Sequence, residues 1–262
     1  MISQSGSIRN GNFEIEDLKA VMMSTTPYGL EVSENCVSCK LRKSHWFCAF
    51  SAGVLQPFDT ASHISTYPRN AVLFVEGQMP RGAFVLCSGR VKLSATSRGG
   101  KVLIVKIVEA GEALGLSAVI SGTCYEVTAE TIIPCQINFT ERGMLLRLIE
   151  RHGEIGLHSA QALSTDFQAA YRDIHDLVLA PSSTVKLAKL LLSWIQIGDK
   201  SKSGGEILAK STASHEEMAQ MIGTSRETVT RLLGAMKKKE LLRIQGSSLV
   251  IKNLTALEAM AS

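Results

Sequence analysis

Two short helices separated by a glycine are the feature that most constrains how this 262-residue chain folds. The segment reads STASHEEMAQMIGTSRETVTRLLGAMKKKELL, and Ser214 stands three positions before Glu217. Thr224 stands at the same interval before Glu227. Serine or threonine followed three residues later by glutamate is typical of a capping box, which begins a helix. Because Gly223 falls between the two predicted helices, the segment predicts a helix-turn-helix.

The second helix separates apolar from polar side chains. Its apolar stripe comprises Val229, Leu232, Leu233 and Met236. The opposite stripe comprises Arg226, Glu227, Thr230 and Arg231. Such a polar face fits the DNA major groove, where arginine donates to guanine and glutamate accepts from cytosine. Ser225 and Lys237, at the two ends of this helix, complete the predicted DNA contacts, and Lys237 begins a lysine triplet suited to phosphates.

Charge is distributed unevenly along the chain. Residues 181–262 carry 12 Lys and Arg against seven Asp and Glu, whereas residues 1–180 carry 16 against 17. The basic C-terminal third is therefore expected to meet a polyanion. Within it, LLRIQGSSLVIK reads as a strand, a turn and a second strand, which predicts a wing beside the helix-turn-helix.

The middle of the chain alternates between short apolar runs and glycine. From about residue 58 to residue 139, runs of five to eight residues rich in valine, isoleucine and leucine are punctuated by glycine turns. Ser97-Arg98-Gly99-Gly100 is a good hairpin turn between two of them. This pattern predicts an all-β sandwich or roll.

A heptad-like seam follows the predicted roll. It comprises Leu163, Phe167, Ala170, Ile174 and Leu177. Apolar residues at alternating steps of four and three on one long helix are typical of a dimer contact. The alternative is that this helix packs against the chain's own β-domain. Ala180-Pro181-Ser182-Ser183 ends the helix and marks a domain boundary.

In its order of parts the chain resembles the CRP/FNR family of transcription regulators, and GTSRETVTRLLGAMKKKELL resembles the recognition helix of that family. The resemblance implies an α+β fold with an N-terminal cyclic-nucleotide-binding-like β-roll, a long dimerisation helix and a C-terminal winged helix-turn-helix. The expected divisions are an arm with a cysteine triplet at 1–50, the roll at 51–140, the dimerisation helix at 141–180 and the DNA-binding domain at 181–262. Arg226, Glu227 and Arg231 are the implied base readers, on a palindrome whose half-sites share a TGA core.

The cysteines point to the FNR-type branch of that family. Its members hold an oxygen-sensing four-iron four-sulfur cluster through a cysteine triplet near the N-terminus and one cysteine in the roll. Here the triplet is Cys36, Cys39 and Cys48, and AETIIPCQINF is similar to the stretch that carries the fourth ligand, which implies Cys135. Cys87 and Cys124 are expected to be core thiols. The cluster state is expected to control dimerisation and DNA binding.

Two alternatives stay open for the cysteines. Cys36, Cys39, His45 and Cys48 have spacings that suit a local zinc site. In the other alternative the cysteines serve no metal, and the regulator responds to nitric oxide or an organic ligand instead. Cyclic AMP is disfavoured, because Thr123 and Cys124 stand where cyclic-nucleotide-binding relatives place an Arg-Ser pair, although Gly111 and Glu112 match their Gly-Glu.

The remaining expectations concern partners and location. We expect double-stranded DNA, a second copy of this chain and RNA polymerase as partners. No catalytic residues are expected, because the sequence offers no phosphate loop, nucleophile elbow or paired-carboxylate motif. The start of the sequence lacks a signal-peptide pattern and no apolar run approaches a membrane span, so the expected location is the cytoplasm.

Overall fold

The computed structural model describes residues 28–30, 35–39, 42, 46–197, 202–203, 206–209, 213–245 and 248–261. Over these residues the chain forms a β-roll, a helical connector and a winged helix-turn-helix, in that order. The predicted α+β fold class and its order of parts are confirmed.

The roll consists of two antiparallel sheets preceded by short helices. A 3-10 helix at Trp46–Cys48 leads into α1 (Ala52–Thr60), and α2 (Leu116–Ser121) interrupts the strands. The strands are β1 (Ser62–Tyr67), β2 (Val72–Phe74), β3 (Gly82–Ser88), β4 (Val91–Thr96), β5 (Val102–Val108), β6 (Ala113–Leu114), β7 (Thr128–Thr131) and β8 (Cys135–Glu141). One sheet has the order β1-β8-β3-β6 and the other β2-β7-β4-β5. The predicted hairpin turn joins β4 to β5, where Thr96 pairs with Val102.

Strand alternation divides the roll into an inner and an outer layer. Successive side chains on a strand point to opposite faces, so every second residue shares a face. On β3, Phe84 and Leu86 belong to the core between the sheets, whereas Ala83 and Val85 pack in a separate outer cluster. That outer cluster also contains Cys36 and apolar residues of the helices. The sheet containing β3 is therefore covered on its outer face by the N-terminal cysteine segment and the connector.

The connector is two helices, whereas one helix was predicted. They are α3 (Arg142–Arg151) and α4 (Gly153–Leu179). His152 adopts an extended backbone with φ −129° and ψ 93°, and its N–H donates to the carbonyl of Leu148 to close α3. The glycine after it begins α4. The predicted stop is confirmed, because α4 ends before Ala180-Pro181.

The C-terminal part packs four helices and a small sheet around its own core. The helices are α5 (Ser183–Ile197), α6 (His215–Ile222), α7 (Arg226–Lys238) and α8 (Leu254–Ala261). The strands are β9 (Lys202–Ser203), β10 (Glu206–Ala209), β11 (Leu242–Gln245) and β12 (Ser248–Ile251), in the sheet order β11-β12-β10-β9. Gln245 pairs with Ser248, which confirms the predicted wing hairpin.

The roll touches the C-terminal domain directly. Lys101, at the β4–β5 turn, donates from Nζ to the carbonyl oxygen of Gly223 at 3.2 Å. Helix α6 also contacts β5. The two domains thus meet at the turn between α6 and α7. None of the helices in the described segments combines the length and apolarity needed to cross a bilayer.

Candidate functional site

The first helix of the predicted helix-turn-helix begins as expected. Ser214 Oγ accepts from the backbone N–H of Glu217 at 3.2 Å, and Glu217 Oε2 accepts from the N–H of Ser214 at 2.6 Å. This reciprocal pair is the predicted capping box. Gly223 ends the helix with φ +69°, a left-handed conformation that side chains with a Cβ disfavour. The predicted α6 and its glycine turn are confirmed.

The second helix begins one residue later than predicted. The sequence assigned its cap to Thr224, but Ser225 Oγ accepts from the N–H of Thr228 at 3.2 Å. Thr224 instead donates its own N–H to the carbonyl of Ala219, so its backbone still belongs to the end of α6. The predicted second capping box is therefore wrong, and Ser225 is the cap of α7.

Helix α7 sorts its two faces as predicted. The buried residues are Val229, Leu232, Leu233 and Met236. The exposed residues include Arg226, Glu227, Thr230, Arg231 and Lys237. Hydrogen bonds from its own backbone N–H and from Ser225 lower the pKa of Glu227, and neighbouring Arg226 adds to this effect. Glu227 is thus an ionised hydrogen-bond acceptor beside a cationic donor, the pair that a G·C edge matches.

Thr230 is engaged within the protein. Its hydroxyl donates to the carbonyl of Arg226 at 2.9 Å, and its oxygen lies 2.9 Å from Nδ1 of His215. With Nδ1 protonated, His215 donates to Thr230, which donates onward to Arg226. Residue spacing does not predict the role of His215, because this contact joins the first turn of α6 to the exposed face of α7.

The triplet cysteines converge on the outer layer of the roll. The backbone N–H of Cys36 donates to Asp59 Oδ1 at 2.6 Å, which fixes the Cys36 turn to α1. Asn35 Oδ1 accepts from the N–H of Ser38 at 2.7 Å, and the N–H of Cys39 donates to the carbonyl of Cys36 at 3.4 Å. Cys36 is buried in the outer cluster and Cys48 packs against it.

The thiols of this layer interact electrostatically with one another and with Cys87. Burial is the main cause that raises the pKa of Cys36, and Cys87 and Cys48 raise it further. Burial raises the pKa of Cys48 to about 12, with added effects from Cys87 and Cys39, while Arg42 opposes the rise. Burial and Cys39 raise the pKa of Cys87 to about 11. We call Cys36, Cys39, Cys48 and Cys87 the thiol cluster.

Cys135 does not join these thiols. It lies fully buried in the core between the two sheets, with Ile137 on the same strand. Its thiol donates to the carbonyls of Ile133 at 3.1 Å and Arg90 at 3.3 Å. Asn138, three positions along β8, faces the opposite side and contacts Cys36. The structure therefore does not assemble the predicted ligand set, because β8 alternation turns Cys135 away from the triplet.

The zinc alternative is only partly visible, since His45 lies outside the described residues. Within the described part of the chain, no group of three or more His, Cys, Asp or Glu side chains is placed to hold a single metal ion. Cys124 is exposed, with Sγ 3.6 Å from the sulfur of Met79, so it is not the core thiol that the sequence suggested.

The long helix α4 carries an exposed apolar stripe. Phe167 and Ile174 are 62% and 59% exposed, and Ala170 is exposed too, as a dimer seam requires. Leu163 instead packs partly against the chain's own outer cluster, and the Leu177 side chain is outside the description. Tyr171, which the sequence analysis missed, extends the stripe, and its ring centroid lies 4.7 Å from that of Phe167.

A half-buried lysine on β5 connects the roll to α4. Lys106 Nζ lies 2.7 Å from Asp166 Oδ1 and forms a second ion pair with Glu112. Partial burial lowers the pKa of Lys106, but the hydrogen bonds and charges of the two carboxylates outweigh it and the pKa is raised. Glu112 is the glutamate that matches cyclic-nucleotide-binding relatives. The Glu112 carboxylate already forms an ion pair with Lys106 of this chain.

Comparisons with known proteins match both parts of the fold. The cyclic nucleotide-binding domain matches residues 64–152, and the Crp-like helix-turn-helix domain matches residues 185–260. A CRP-like cAMP-activated global transcriptional regulator of Mycobacterium tuberculosis is 25% identical over 207 residues, 79% of this chain and 88% of its own length. A global nitrogen regulator of Synechococcus elongatus is 27% identical over 206 residues, 76% of this chain and 90% of its own.

Solved structures agree on the fold. The c-di-GMP responsive global regulator CLP of Xanthomonas campestris is 21% identical, with a TM-score of 0.67 over 77% of this chain and 99% of its own. The M. tuberculosis and S. elongatus relatives are regulators rather than enzymes, as the sequence predicted. With a cyclic-nucleotide-binding-like roll, a long connecting helix and a Crp-like reading helix in one chain, the protein belongs to the CRP/FNR family of DNA-binding transcription regulators.

Proposed function

We propose that the protein is a homodimeric, operator-binding regulator whose DNA binding is controlled by an oxygen- or redox-sensitive iron–sulfur cluster at its N-terminal cysteines. The strongest support is the direct contact between the cysteine-bearing segment and the beginning of α4, the helix that carries the exposed stripe. A change at the cysteines therefore acts on the dimer helix without an intermediate element.

Two adjoining contacts make this connection. Nδ1 of His158 on α4 lies 3.1 Å from the carbonyl oxygen of Phe47, and its ring stacks on Phe50 with centroids 5.0 Å apart. Ser51 donates from its N–H and its hydroxyl to the carboxylate of Glu154 on α4, at 2.8 and 2.6 Å. Cys48 lies within this short segment. Ligation at Cys48 would thus stabilise one placement of the first turns of α4, and its loss would release that placement.

The triplet suits an iron–sulfur cluster chemically. Thiolates are the ligands of such clusters, and Cys36 and Cys48 pack in one shielded layer. Cys39 is half-buried and interacts electrostatically with Cys48. When bound, the cluster supplies a group that reacts with oxygen or nitric oxide. Asp59 holds the Cys36 turn against α1. Burial raises the pKa of the Cys36 thiol, so this thiol keeps its proton until ligation of a metal releases it. Cys135 does not fit this site in the structure.

Pairing through α4 would place two copies of α7 for a palindrome. One α7 reads only a half-site, and dimers of this type read half-sites about 34–36 Å apart. The palindrome is expected to contain TGA in each half-site. We include RNA polymerase as a proposed partner and the cytoplasm as the proposed location.

Cyclic AMP is named for the M. tuberculosis relative, but the corresponding pocket of this chain favours another signal. Thr123, where a cationic fork would hold phosphate, has its hydroxyl 2.7 Å from that of Ser121. The nearby cation Lys106 is matched by two carboxylates, Glu112 and Asp166. Because Thr123 cannot supply the cationic fork that an anionic phosphate needs, we expect no response to cyclic AMP.

One preparation tests the proposed function. Full-length protein purified without oxygen should contain iron and acid-labile sulfide and should bind a TGA-type palindrome in a fluorescence anisotropy titration. Exposure to air should remove the visible absorbance and weaken binding together. Protein that carries neither iron nor sulfide, or binds the palindrome equally before and after air, would contradict the proposal. Equal binding with and without added cyclic AMP is the expected control result.

A further inference from the structure

We propose that the groove between α1 and α3 binds an amphipathic organic acid, a carboxylate carried on a short apolar body. The inference is independent of the iron–sulfur proposal, since no described cysteine lines this groove. It follows from the size of the groove, its apolar floor and the cations along its rim.

The groove has the size and the lining of a small-molecule site. Its volume is about 490 Å³, and such sites span about 300–1,000 Å³. The floor is apolar and is formed by the buried or half-buried side chains of Pro57, Ala61, Met144 and Leu148. Leu148 belongs to the outer cluster of the roll and Ala61 packs against it, so the floor is a fixed part of the fold. A mainly apolar lining with a few polar groups is typical of sites for organic ligands.

The rim of the groove is basic. Its polar side chains are Gln56 and Thr60 on α1 and Arg147, Arg151 and His152 along α3 and at its end. Within the described residues neither guanidinium forms an ion pair, and no acidic side chain lines the groove. Asp59 of α1 accepts from the N–H of Cys36 instead. The groove therefore favours a ligand that brings its own negative charge.

The two arginines are placed to share one carboxylate. They are four positions apart on α3, so they lie on the same face of the helix, where two like charges repel each other. Arg147 Nη2 lies 3.7 Å from Met144 Sδ, which places this guanidinium beside the apolar floor. A carboxylate between the two would relieve the repulsion and accept hydrogen bonds from both, because a guanidinium fork matches its geometry. The apolar body of the same ligand would cover the floor.

The groove adjoins the break between α3 and α4. His152 ends α3 with an extended backbone, and α4 begins at Gly153. An occupant would contact α1 on one side and this break on the other. It would therefore fix the position of the start of α4 relative to α1.

Calorimetric titration of the full-length protein tests the ligand class, with sodium octanoate as the probe. Octanoate should bind saturably, whereas octanol, which lacks the charge, and acetate, which lacks the apolar body, should each bind at least about tenfold more weakly. Octanol binding as well as octanoate would show a merely apolar groove, and acetate binding as well would show a merely cationic one. Either result, or no binding of octanoate, would overturn the proposal.

A pair of variants tests the assigned cation. Arg151→Gln should weaken octanoate binding about tenfold, because it removes a charged donor to the carboxylate. Arg69→Gln is the matched control, since Arg69 is exposed beyond the far end of β1 from Ala61, and it should bind octanoate as wild type does. Equal binding by Arg151→Gln and wild type would contradict the assignment. Circular dichroism would show that both variants are folded.

A spectroscopic measurement locates the site on the wild-type protein. With isotope-labelled methionine methyl groups, octanoate should shift the Met144 resonance, which Met144→Leu identifies among the nine methionines. The resonance of Met218, buried in the core of the C-terminal domain, should not move. Shifts confined to other methionines would place the binding elsewhere and overturn the proposal. Iron plays no part in these measurements, so their failure would leave the proposed function standing.

Discussion

The DNA-reading helices and the thiol cluster lie at opposite ends of the chain and are built differently. The reading surface is contiguous, since residues 213–239 provide both helices, their caps and the polar face of α7. The thiol cluster combines a turn at Cys36–Cys39, a 3-10 helix ending at Cys48, a bulge at Cys87 and a supporting amide on β8. The first can act as a unit, whereas the second exists only when the whole roll is folded.

This difference suits a regulator. A reading surface that folds from local contacts keeps its base specificity constant, while a site assembled from distant segments changes the packing of all of them when its occupancy changes. Helix α4 lies between the two, with the thiol segment at its first turns and the exposed stripe further along.

The largest effect is expected at this connection, from Ile174→Glu. Ile174 is 59% exposed on the apolar stripe, and a carboxylate there would face its own copy across a dimer axis. The variant should sediment as a monomer and lose most of its preference for the operator, a gap of about 4–10 kcal/mol. Thr165→Glu, exposed on the other side of α4, should remain dimeric. A dimeric Ile174→Glu would mean that the two regions communicate by another route.

A smaller, base-specific effect is expected within the reading surface. Arg226→Ala should lose about 1–3 kcal/mol of discrimination at one guanine, because a side chain at the start of α7 is placed to donate to it. Lys237→Ala should weaken all sequences alike and reduce the salt slope by about 1. Anisotropy titrations against a set of singly substituted operators would measure both. Uniform weakening by Arg226→Ala would show that this residue contacts phosphate only.

In the N-terminal part, which is assembled from distant segments, we expect Lys106→Met to change stability rather than base preference. Removing this cation leaves Glu112 and Asp166 without their partner, and we expect the free energy of unfolding to fall by about 1–2 kcal/mol. The raised pKa of Lys106 means that its contribution is present below pH 10.5 and is lost as pH rises through the raised value.

Urea denaturation from pH 7 to strongly alkaline conditions would follow this dependence. Wild type and Lys106→Met should differ at neutral pH and converge at alkaline pH. Lys92→Met, which removes a pair with Glu130 within the other sheet, is the matched control, and its effect should leave dimerisation unchanged. A constant difference at every pH would assign the loss to packing of the lysine stem.

The smallest effect is expected from Thr230→Val. Its hydroxyl is already bonded to Arg226 and His215, so it has little capacity left for a base. Operator affinity should change by less than about 0.5 kcal/mol at every position. A loss comparable to that of Arg226→Ala would show that the hydroxyl turns outward on DNA.

Much of the reading surface was predictable because helix geometry converts sequence spacing directly into faces. The apolar and polar stripes of α7 and the Ser214 capping box are confirmed. The single shift, from Thr224 to Ser225, arises because adjacent Thr and Ser both suit a cap and the end of α6 decides between them.

The thiol site was predicted less well, for two reasons. On β8 a signal existed but the resemblance was followed instead: Cys135, Ile137 and Phe139 alternate with polar residues, and this alternation places Cys135 on the core face. On β3 no signal existed, because GAFVLC is apolar on both faces and gives no hint that Cys87 lies outside. Tyr171 was missed for a different reason: it does not occupy a position of the ideal heptad that predicted the α4 stripe.

The contact between the β4–β5 turn and the helix-turn-helix has a consequence for the geometry of a dimer. Lys101 contacts the Gly223 turn, so each subunit sets the tilt of its own DNA-binding domain relative to its own roll. In a pair related by a two-fold axis, equal tilts run in opposite senses, and their effects on the distance between the two DNA-binding domains add. A small rotation within each subunit is thereby doubled at the operator, where it selects the half-site spacing that the dimer can bind.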